Sequence, residues 1–240
     1  MAEPAAYYAR RGPVADWWTL LHPPYTAWHL AFVVIGACLA PRVSVTTLLA
    51  TLLAFFLAVG VAAHALDELQ GRPLGTAIPA PVLAAVAGAG LAGALIVGAV
   101  GVTRVGGWLV LFMAVGAALV VGYDLELAGG LVHGAAGFSL GWGAFPVLTA
   151  AFAQSHSVTG GAVLAAAGAA MWSGAQRVLS TPARTLRRRV RGADVRLVHA
   201  DGRVEAVGRA ELLAPLEQAL RLSAWTAVLL AAGLAVSRLG

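Results

Sequence analysis

Residues 43–73 read VSVTTLLATLLAFFLAVGVAAHALDELQGRP, an apolar run that ends abruptly on ionisable side chains. The run is about as long as the roughly 20 residues that a helix needs to cross a bilayer. Its polar end contains His64, Asp67, Glu68 and Arg72. An ionisable side chain costs about 2.5 to 3.5 kcal/mol at the bilayer centre and is kept near hydrocarbon for a function. We therefore take this polar end as the centre of a candidate functional site.

The composition is that of an integral membrane protein. Of the 240 residues, 60% are hydrophobic and 11% are charged, whereas soluble domains carry about 25% charged residues. The chain contains no lysine, and its 16 basic residues are arginines concentrated between residues 184 and 221. We expect this arginine-rich loop to contact anionic lipid. No nucleic-acid partner is expected, because aromatic or groove-reading side chains do not accompany the arginines.

Seven segments are predicted to cross the membrane, which predicts an all-α, polytopic transmembrane helical bundle. They cover about residues 25–40, 43–66, 79–101, 107–123, 131–153, 158–175 and 222–237. Residues 1–180 would then hold spans one to six, residues 181–221 a basic cytoplasmic loop, and residues 222–240 the last transmembrane helix. Within the loop, Asp201-Gly202 lies between two β-prone runs and predicts a small cytoplasmic β-hairpin insert.

The distribution of arginines predicts the orientation in the cell membrane. A cytoplasmic N-terminus and an outside C-terminus place most arginines in the cytoplasm, as the positive-inside rule requires. His156 then lies at the outer face. The other polar residues of the spans gather at the cytoplasmic face: His22, His29, His64, Asp67, Glu68, Arg72, Tyr123, Asp124, Glu126 and His133.

Spacing within the polar end predicts a metal site. His64 and Glu68 are four residues apart and Asp67 is three from His64, so one helix presents a nitrogen and a carboxylate together. Neighbouring spans would complete a ring of ligands with His29, Glu126 and His133. Imidazoles and carboxylates bind zinc, manganese and non-haem iron, and helical bundles build di-iron sites from similar pairs. Alternatively, these groups bond one another at helix ends, with Arg72 pairing with Asp67 or Glu68.

The same residues also suit a diphosphate. Carboxylates at a membrane surface can hold magnesium, which bridges diphosphate oxygens while an arginine neutralises the remaining charge. Arg72 follows the acids closely enough to take this part. The cofactor is therefore expected to be a divalent metal, which is magnesium for diphosphate chemistry and iron or manganese for oxidation chemistry.

The order of these features resembles the UbiA superfamily of intramembrane prenyltransferases over about residues 25–150. In that family the second helix ends in an Asp-rich motif, followed by an Arg-Pro-Leu segment and a third helix. Asp67-Glu68 with Arg72-Pro73-Leu74, and the region of Tyr123, are similar. The chain departs from the family in having His64 near an asparagine position. It also has no acid at residues 179–189, where the family has a second Asp-rich motif.

The resemblance implies a helical bundle with a lipid-open cavity, magnesium bound by acids, and transfer of a prenyl group from its diphosphate. The first hypothesis is therefore a prenyltransferase-like enzyme that acts on a lipid or isoprenoid at the cytoplasmic membrane face. Asp67, Glu68, Asp124 and Glu126 would hold magnesium and diphosphate, Arg72 and Tyr123 would bind the substrate, and His64 or His133 would accept a proton.

Two other classes of function are compatible with the sequence. A di-iron or other transition-metal oxidoreductase would hydroxylate or desaturate a lipid. Its ligands would be His29, His64, Glu68, Glu126 and His133. A non-catalytic transporter or assembly protein would use the same polar residues only to cap its helices.

Overall fold

The computed structural model describes residues 12–126, 129 and 133–240, which form helices and one β-hairpin. In chain order these elements are α1 (Pro13–Leu21), α2 (Pro23–Cys38), α3 (Val45–Leu69), α4 (Ala80–Val105), α5 (Leu109–Asp124), α6 (Ala135–Ser155), α7 (Gly160–Arg188), β1 (Asp194–Val198), β2 (Val204–Gly208) and α8 (Arg209–Leu239).

The apolar helices confirm the predicted all-α character. Helices α3, α4, α6 and α8 are long and apolar enough to cross a bilayer, and α5 is a shorter apolar helix. The seven crossings and the UbiA-like arrangement stay predictions. Helix α6 is the most buried of the four long apolar helices, because 61% of its apolar window lies inside the protein against 22% or less for the others.

Helix α1 was not among the predicted helices. It ends at His22, whose left-handed backbone (φ 45°) lets its amide donate to the Thr19 carbonyl, and Pro23 then opens α2. Leu20 packs against residues of α3 and α4, and the Asp16 carboxylate accepts a hydrogen bond from the Ala77 amide at 2.9 Å. Helix α1 therefore lies against the connection between α3 and α4.

Two of the described helices contain π-helical segments, and both segments adjoin the candidate site. In α3 the segment is Phe56–Ala63, directly before His64, and in α6 it is Leu140–Ala144, which includes Trp142. A π turn inserts an extra residue into an α-helix, changes the direction of the side chains and is frequent at functional sites. These segments set the direction in which His64 and Trp142 project.

Glycines allow two helices to approach α6 closely. A Cβ atom at Gly36 of α2 would collide with the backbone of Val147, and one at Gly143 of α6 would lie 2.5 Å from the carbonyl oxygen of Ala169 in α7. Any larger residue would push these helices apart. The close packing fixes α2, α6 and α7 around the rings described below.

The segment predicted as a basic loop begins with helix, because α7 continues through Pro182 to Arg188. Helix α8 begins at Arg209. The two helices pair along their length, since Arg187 forms an ion pair with Glu217 and Trp172 donates to Ser223 at 2.6 Å. This pairing stabilises the end of α7, where composition alone suggested a loop.

The β-hairpin lies between α7 and α8. Its register pairs Val195 with Val207 and Leu197 with Glu205. Gly202 adopts φ 83°, which the Asp201-Gly202 turn requires and which glycine adopts without steric cost. The structure therefore contains the hairpin at the predicted turn.

Candidate functional site

Four rings pack together where α1, α2 and α3 meet, and we call them the histidine cluster: His22, Tyr25, His29 and His64. Ring centroids lie 4.4 Å apart for Tyr25 and His29, 5.9 Å for Tyr25 and His64, and 5.7 Å for the stacked His22 and His64. Tyr25 and His29 are four residues apart on one face of α2. The structure thus brings together His29 and His64, two of the predicted metal ligands, around a tyrosine.

His29 is fully buried, and its ring lacks ordinary hydrogen bonds. Neither ring nitrogen bonds a residue of the described chain, and the backbone of Trp142 is the polar group that interacts with the ring. A buried polar atom without a partner costs about 1 to 3 kcal/mol. Such a cost at the centre of the bundle points to a functional requirement.

His22 lies outside the spans, between α1 and α2, and stays neutral. Burial, with a smaller contribution from the neighbouring His64, lowers its pKa to about 3. At ordinary pH the ring of His22 that stacks on His64 is therefore uncharged.

His64 and His133 are the two predicted proton acceptors. In each of them one ring nitrogen is hydrogen-bonded to a backbone carbonyl. The Nδ1 atom of His64 lies 3.2 Å from the carbonyl oxygen of Gly60, and that of His133 lies 3.0 Å from the carbonyl oxygen of Tyr123. A carbonyl oxygen only accepts, so Nδ1 carries the proton in each neutral ring. The basic nitrogen is Nε2 in both residues.

A second group of rings, the Tyr123 cluster, joins α5, α6 and α7. It consists of Tyr123, His133, Phe138, Trp142 and Arg177. The Tyr123 ring stacks on His133 at 4.5 Å and meets Trp142 edge-on at 5.4 Å. Arg177 lies 5.3 Å above the Phe138 ring, donates to the Tyr123 hydroxyl at 2.9 Å and donates to the His133 carbonyl at 3.1 Å. Since Trp142 also contacts His29 at 5.7 Å, the two clusters are continuous.

Two carboxylates, Asp67 and Asp124, lie close enough for their charges to interact. Asp124 is 8% exposed, and its Oδ2 atom has no hydrogen-bond partner in the described chain. Asp67 is half-buried, and no hydrogen bond reaches its carboxylate from the residues described. These two acids come from the ends of α3 and α5.

Glu68 has a different environment from its neighbour Asp67. It is fully buried, and its two oxygens accept hydrogen bonds from the Leu74 amide at 2.9 Å, the Thr76 amide at 2.8 Å and the Thr76 hydroxyl at 2.9 Å. These bonds hold the connection between α3 and α4. Glu68 was predicted as a metal ligand, but both oxygens of its carboxylate accept hydrogen bonds from the loop that follows it.

Arg72 and Glu126 also depart from their predicted contacts. The Arg72 guanidinium donates to the carbonyl oxygens of Ile78 at 2.5 Å and Thr76 at 3.4 Å, and it forms no ion pair with an acid of the described chain. Glu126 has a left-handed backbone (φ 49°) and a 63% exposed side chain, and its Oε1 atom lies 3.7 Å from Nε2 of His133. Arg72 is therefore a loop residue, and Glu126 lies at the rim.

The predicted ligands do not converge on one point. Among the described residues, no three side chains of His, Cys, Asp or Glu are arranged to hold a metal ion. The predicted set divides into the histidine cluster with His29 and His64, the acid pair Asp67 and Asp124, and the rim pair His133 and Glu126. Of these, the acid pair brings two carboxylates together, and the Oδ2 atom of Asp124 is buried without a hydrogen-bond partner in the described chain.

An apolar cavity of about 390 Å³ lies between α3, α4, α5 and α6. Its lining runs from Thr46 and Arg104 at one end of these helices to Val59 and Trp142 at the other. The stretch of α3 that lines it is about 20 Å long at 1.5 Å per residue. Trp142 belongs both to the cavity wall and to the Tyr123 cluster, so the cavity reaches the polar site.

Sequence reasoning missed three residues of this site: Tyr25, Trp142 and Arg177. Tyr25 and Trp142 could not be singled out, because single aromatic residues in apolar helices carry no distinguishing pattern. Arg177 did carry a signal. It follows the apolar segment 158–175, and an ionisable residue there marks a functional site by default.

Comparison with known proteins finds no match. No protein-family model matches the chain, and neither a curated protein nor a solved structure does.

Proposed function

We propose that this protein is an intramembrane, prenyltransferase-like enzyme that acts on an isoprenoid or another lipid. The observation that carries the proposal is the apolar cavity that reaches Trp142, beside the Tyr123 cluster. A long apolar cavity with a few convergent polar groups at its end is the usual form of a site for an apolar ligand. The hydrocarbon chain would lie along the cavity, and the reacting end would lie near the acid pair.

The acid pair fits a magnesium ion shared with a diphosphate. Magnesium is typically held by one or two carboxylates together with substrate phosphates, rather than by a closed set of protein ligands. Asp67 and Asp124 provide two carboxylates whose oxygens are not used by the described protein. Bound magnesium would neutralise charge on the diphosphate.

The surrounding side chains would orient and deprotonate the substrate. His64 and His133 each present a basic Nε2 atom, which fits the predicted role of proton acceptor. The Tyr123 hydroxyl accepts from Arg177 and keeps its own hydrogen to donate. We assign Tyr123 to substrate binding and Arg72 to the support of the loop.

The proposal places the protein in the cell membrane in a UbiA-like bundle with seven crossings. The N-terminus would be cytoplasmic and the C-terminus outside, because this orientation keeps most arginines in the cytoplasm. The site then opens at the cytoplasmic face, and the arginine-rich region contacts anionic lipid.

The first test measures diphosphate release. Purified protein in lipid nanodiscs is mixed with polyprenyl diphosphates, candidate acceptors and magnesium. We expect release to fall by about 100-fold in Asp124→Asn, the size of effect seen when a charge-stabilising group is removed from an active site. Asp201→Asn in the hairpin is the matched control and should keep full release. No release with any acceptor from folded protein would refute the prenyltransferase version.

The second test concerns the cavity. Ala94→Phe places a ring in the cavity wall, whereas Ala92→Phe adds the same ring on an exposed side of the same helix. We expect Ala94→Phe to weaken binding of long isoprenoids at least tenfold and Ala92→Phe to leave it unchanged, since a filled cavity excludes the chain. Equal binding by both variants would show that the cavity does not hold the chain.

A transition-metal oxidoreductase is the alternative. The observation that favours it is His29, a fully buried imidazole beside His64 whose polar neighbour in the described chain is the backbone of Trp142. Imidazole nitrogen is a common ligand of iron and manganese. Elemental analysis of purified protein separates the two proposals: stoichiometric iron or manganese that is lost in His29→Ala favours oxidation chemistry, and metal-free protein argues against it.

A further inference from the structure

The apolar cavity between α3, α4, α5 and α6 is polar at one end only. Among the described residues, its wall carries four threonine hydroxyls, which belong to Thr46, Thr47, Thr51 and Thr149. The first three lie within the first two turns of α3, and Thr149 lies about two turns beyond Trp142 on α6. Towards Val59 and Trp142 the wall consists of apolar and aromatic residues. We call the polar part, together with Arg104, the threonine end.

Arg104 supplies the charge of the threonine end. It lies in the last turn of α4 with an exposed side chain, and it forms no hydrogen bond or ion pair with the residues that the structure describes. The described wall of the cavity contains no acid and no second basic residue. A cation without an acid partner at the mouth of an apolar cavity attracts an anionic group.

Thr149 is a second feature of the threonine end that lacks a partner. The residue is 8% exposed, and its hydroxyl makes no hydrogen bond within the described chain. A threonine in a helix commonly bonds the carbonyl of the preceding turn, as Thr51 does by donating to Thr47 at 2.8 Å. Because a buried hydroxyl without a partner is costly, a ligand oxygen beside Thr149 would be favourable.

Helix α4 leaves one side of the cavity accessible from the surroundings of the bundle. Ile96 and Val100 belong to the cavity wall and are 65% and 62% exposed. In a membrane a hydrocarbon chain can therefore enter sideways past α4. The volume of about 390 Å³ is near the lower end of the roughly 300 to 1,000 Å³ of small-molecule sites, which favours one chain over two.

We infer that the cavity binds a single-chain amphiphile whose anionic headgroup lies at Arg104 and whose chain runs towards Trp142. Both a fatty acid carboxylate and a lysophospholipid phosphate have this chemistry, and the planar fork of an arginine matches either. The polar part of the ligand would lie beside the threonines and its apolar part along the apolar wall.

This site is separate from the acid pair. Thr46 and Asp67 are 21 residues apart on α3, which is about 30 Å along the helix axis at 1.5 Å per residue. An isoprenoid bound as proposed above would have its charged end at the opposite end of the cavity, so the two ligands would compete. The inference does not depend on the proposed reaction.

Binding of radiolabelled oleate to purified full-length protein in a neutral detergent provides the test, measured by scintillation proximity. We expect Arg104→Gln to weaken binding about fivefold, because an ion pair at an exposed site contributes modestly. Arg238→Gln removes the same charge from the end of α8, outside the cavity wall, and should change the affinity less than twofold. Oleyl alcohol keeps the chain but not the charge, so its binding should not respond to Arg104→Gln.

Three outcomes would overturn the inference. They are equal weakening by the two arginine variants, unchanged oleate binding in Arg104→Gln, and folded wild-type protein that binds neither oleate nor lysophosphatidic acid. The position of the chain is tested with Ala94→Phe, which should abolish oleate binding, and with Ala92→Phe on the exposed side, which should not. Equal binding by these two variants would also overturn it.

Two further results identify the headgroup. Lysophosphatidic acid that binds more tightly than oleate, and about threefold more weakly to Thr149→Val, would support the site and assign it to a lysophospholipid whose ester carbonyl accepts from Thr149. Tighter binding of oleate would support the site and assign it to a free fatty acid. Oleate binding without diphosphate release would refute the proposed function alone, and diphosphate release without binding of either anion would refute this inference alone.

Discussion

Glu68 and Asp67 are adjacent in sequence, yet they differ in burial and in hydrogen bonding. Glu68 is fully buried, and its carboxylate accepts three hydrogen bonds from residues 74 and 76. Asp67 is half-buried, unbonded within the described chain, and close to the charges of Asp124, Arg184 and Arg188. The difference teaches that a buried acid can serve the fold, whereas an acid left without partners in a charged surrounding is the better candidate for chemistry.

The largest expected effect is the loss of the Glu68 carboxylate. Glu68→Ala leaves the buried amide and hydroxyl of Thr76 and the partly buried amide of Leu74 without acceptors, so we expect the free energy of unfolding to fall by about 3 to 5 kcal/mol. Chemical unfolding in detergent measures it. Glu126→Ala removes an exposed carboxylate and should change stability by no more than about 0.5 kcal/mol. Equal stability of the two variants would contradict the structural role of Glu68.

Asp67→Asn should leave stability nearly unchanged but lower activity. The carboxylate has no hydrogen bond to lose and lies near Glu68 and Asp124, so we expect the free energy of unfolding to stay within about 1 kcal/mol of the wild type. Diphosphate release should still fall by about 100-fold. If Asp67→Asn unfolds easily but keeps its specific activity, Asp67 serves the fold and not the chemistry.

The smallest effect concerns a single bond of the loop. Thr76→Val removes the hydroxyl that donates to Glu68 but keeps the hydrogen bond from the backbone amide of residue 76. We therefore expect a loss of about 1 to 2 kcal/mol in the free energy of unfolding. Thr103→Val is the control, since Thr103 bonds only the carbonyl of Val100 on an exposed surface. If the two changes cost the same, the Thr76 hydroxyl contributes nothing specific to the connection between α3 and α4.

The helices were more predictable than the partners of the ionisable groups. The predicted segments at about 43–66 and 79–101 correspond to α3 and α4, because long apolar runs bounded by polar residues show where a helix begins and ends. Helix α1 was missed because it is only nine residues long, well short of the roughly 20 residues of a predicted membrane span. The helical continuation of α7 to Arg188 was missed because contacts with α8 outweigh the polar composition.

The polar end of residues 43–73 did not show which partners its ionisable groups would find. The predicted contact of Arg72 with an acid is absent among the described residues, and Arg72 instead donates to backbone carbonyls of its own loop. Arg177 of α7, by contrast, donates to the Tyr123 hydroxyl at 2.9 Å and to the His133 carbonyl at 3.1 Å. Helical spacing shows which residues share one helix face, but it does not show which face of another helix lies opposite.

The amino-acid sequence by itself determined that the chain forms apolar helices and that Asp67, Glu68 and Asp124 lie near the ends of such helices. The physical reason is local: burial of apolar side chains and the cost of placing charges in hydrocarbon act on each segment separately. Only the tertiary structure decided that Glu68 holds a loop, that Asp67 lies near Asp124, and that Arg177 of α7 bonds Tyr123 of α5. Those outcomes depend on π segments, glycine contacts and helix pairing, which bring together residues far apart in the chain.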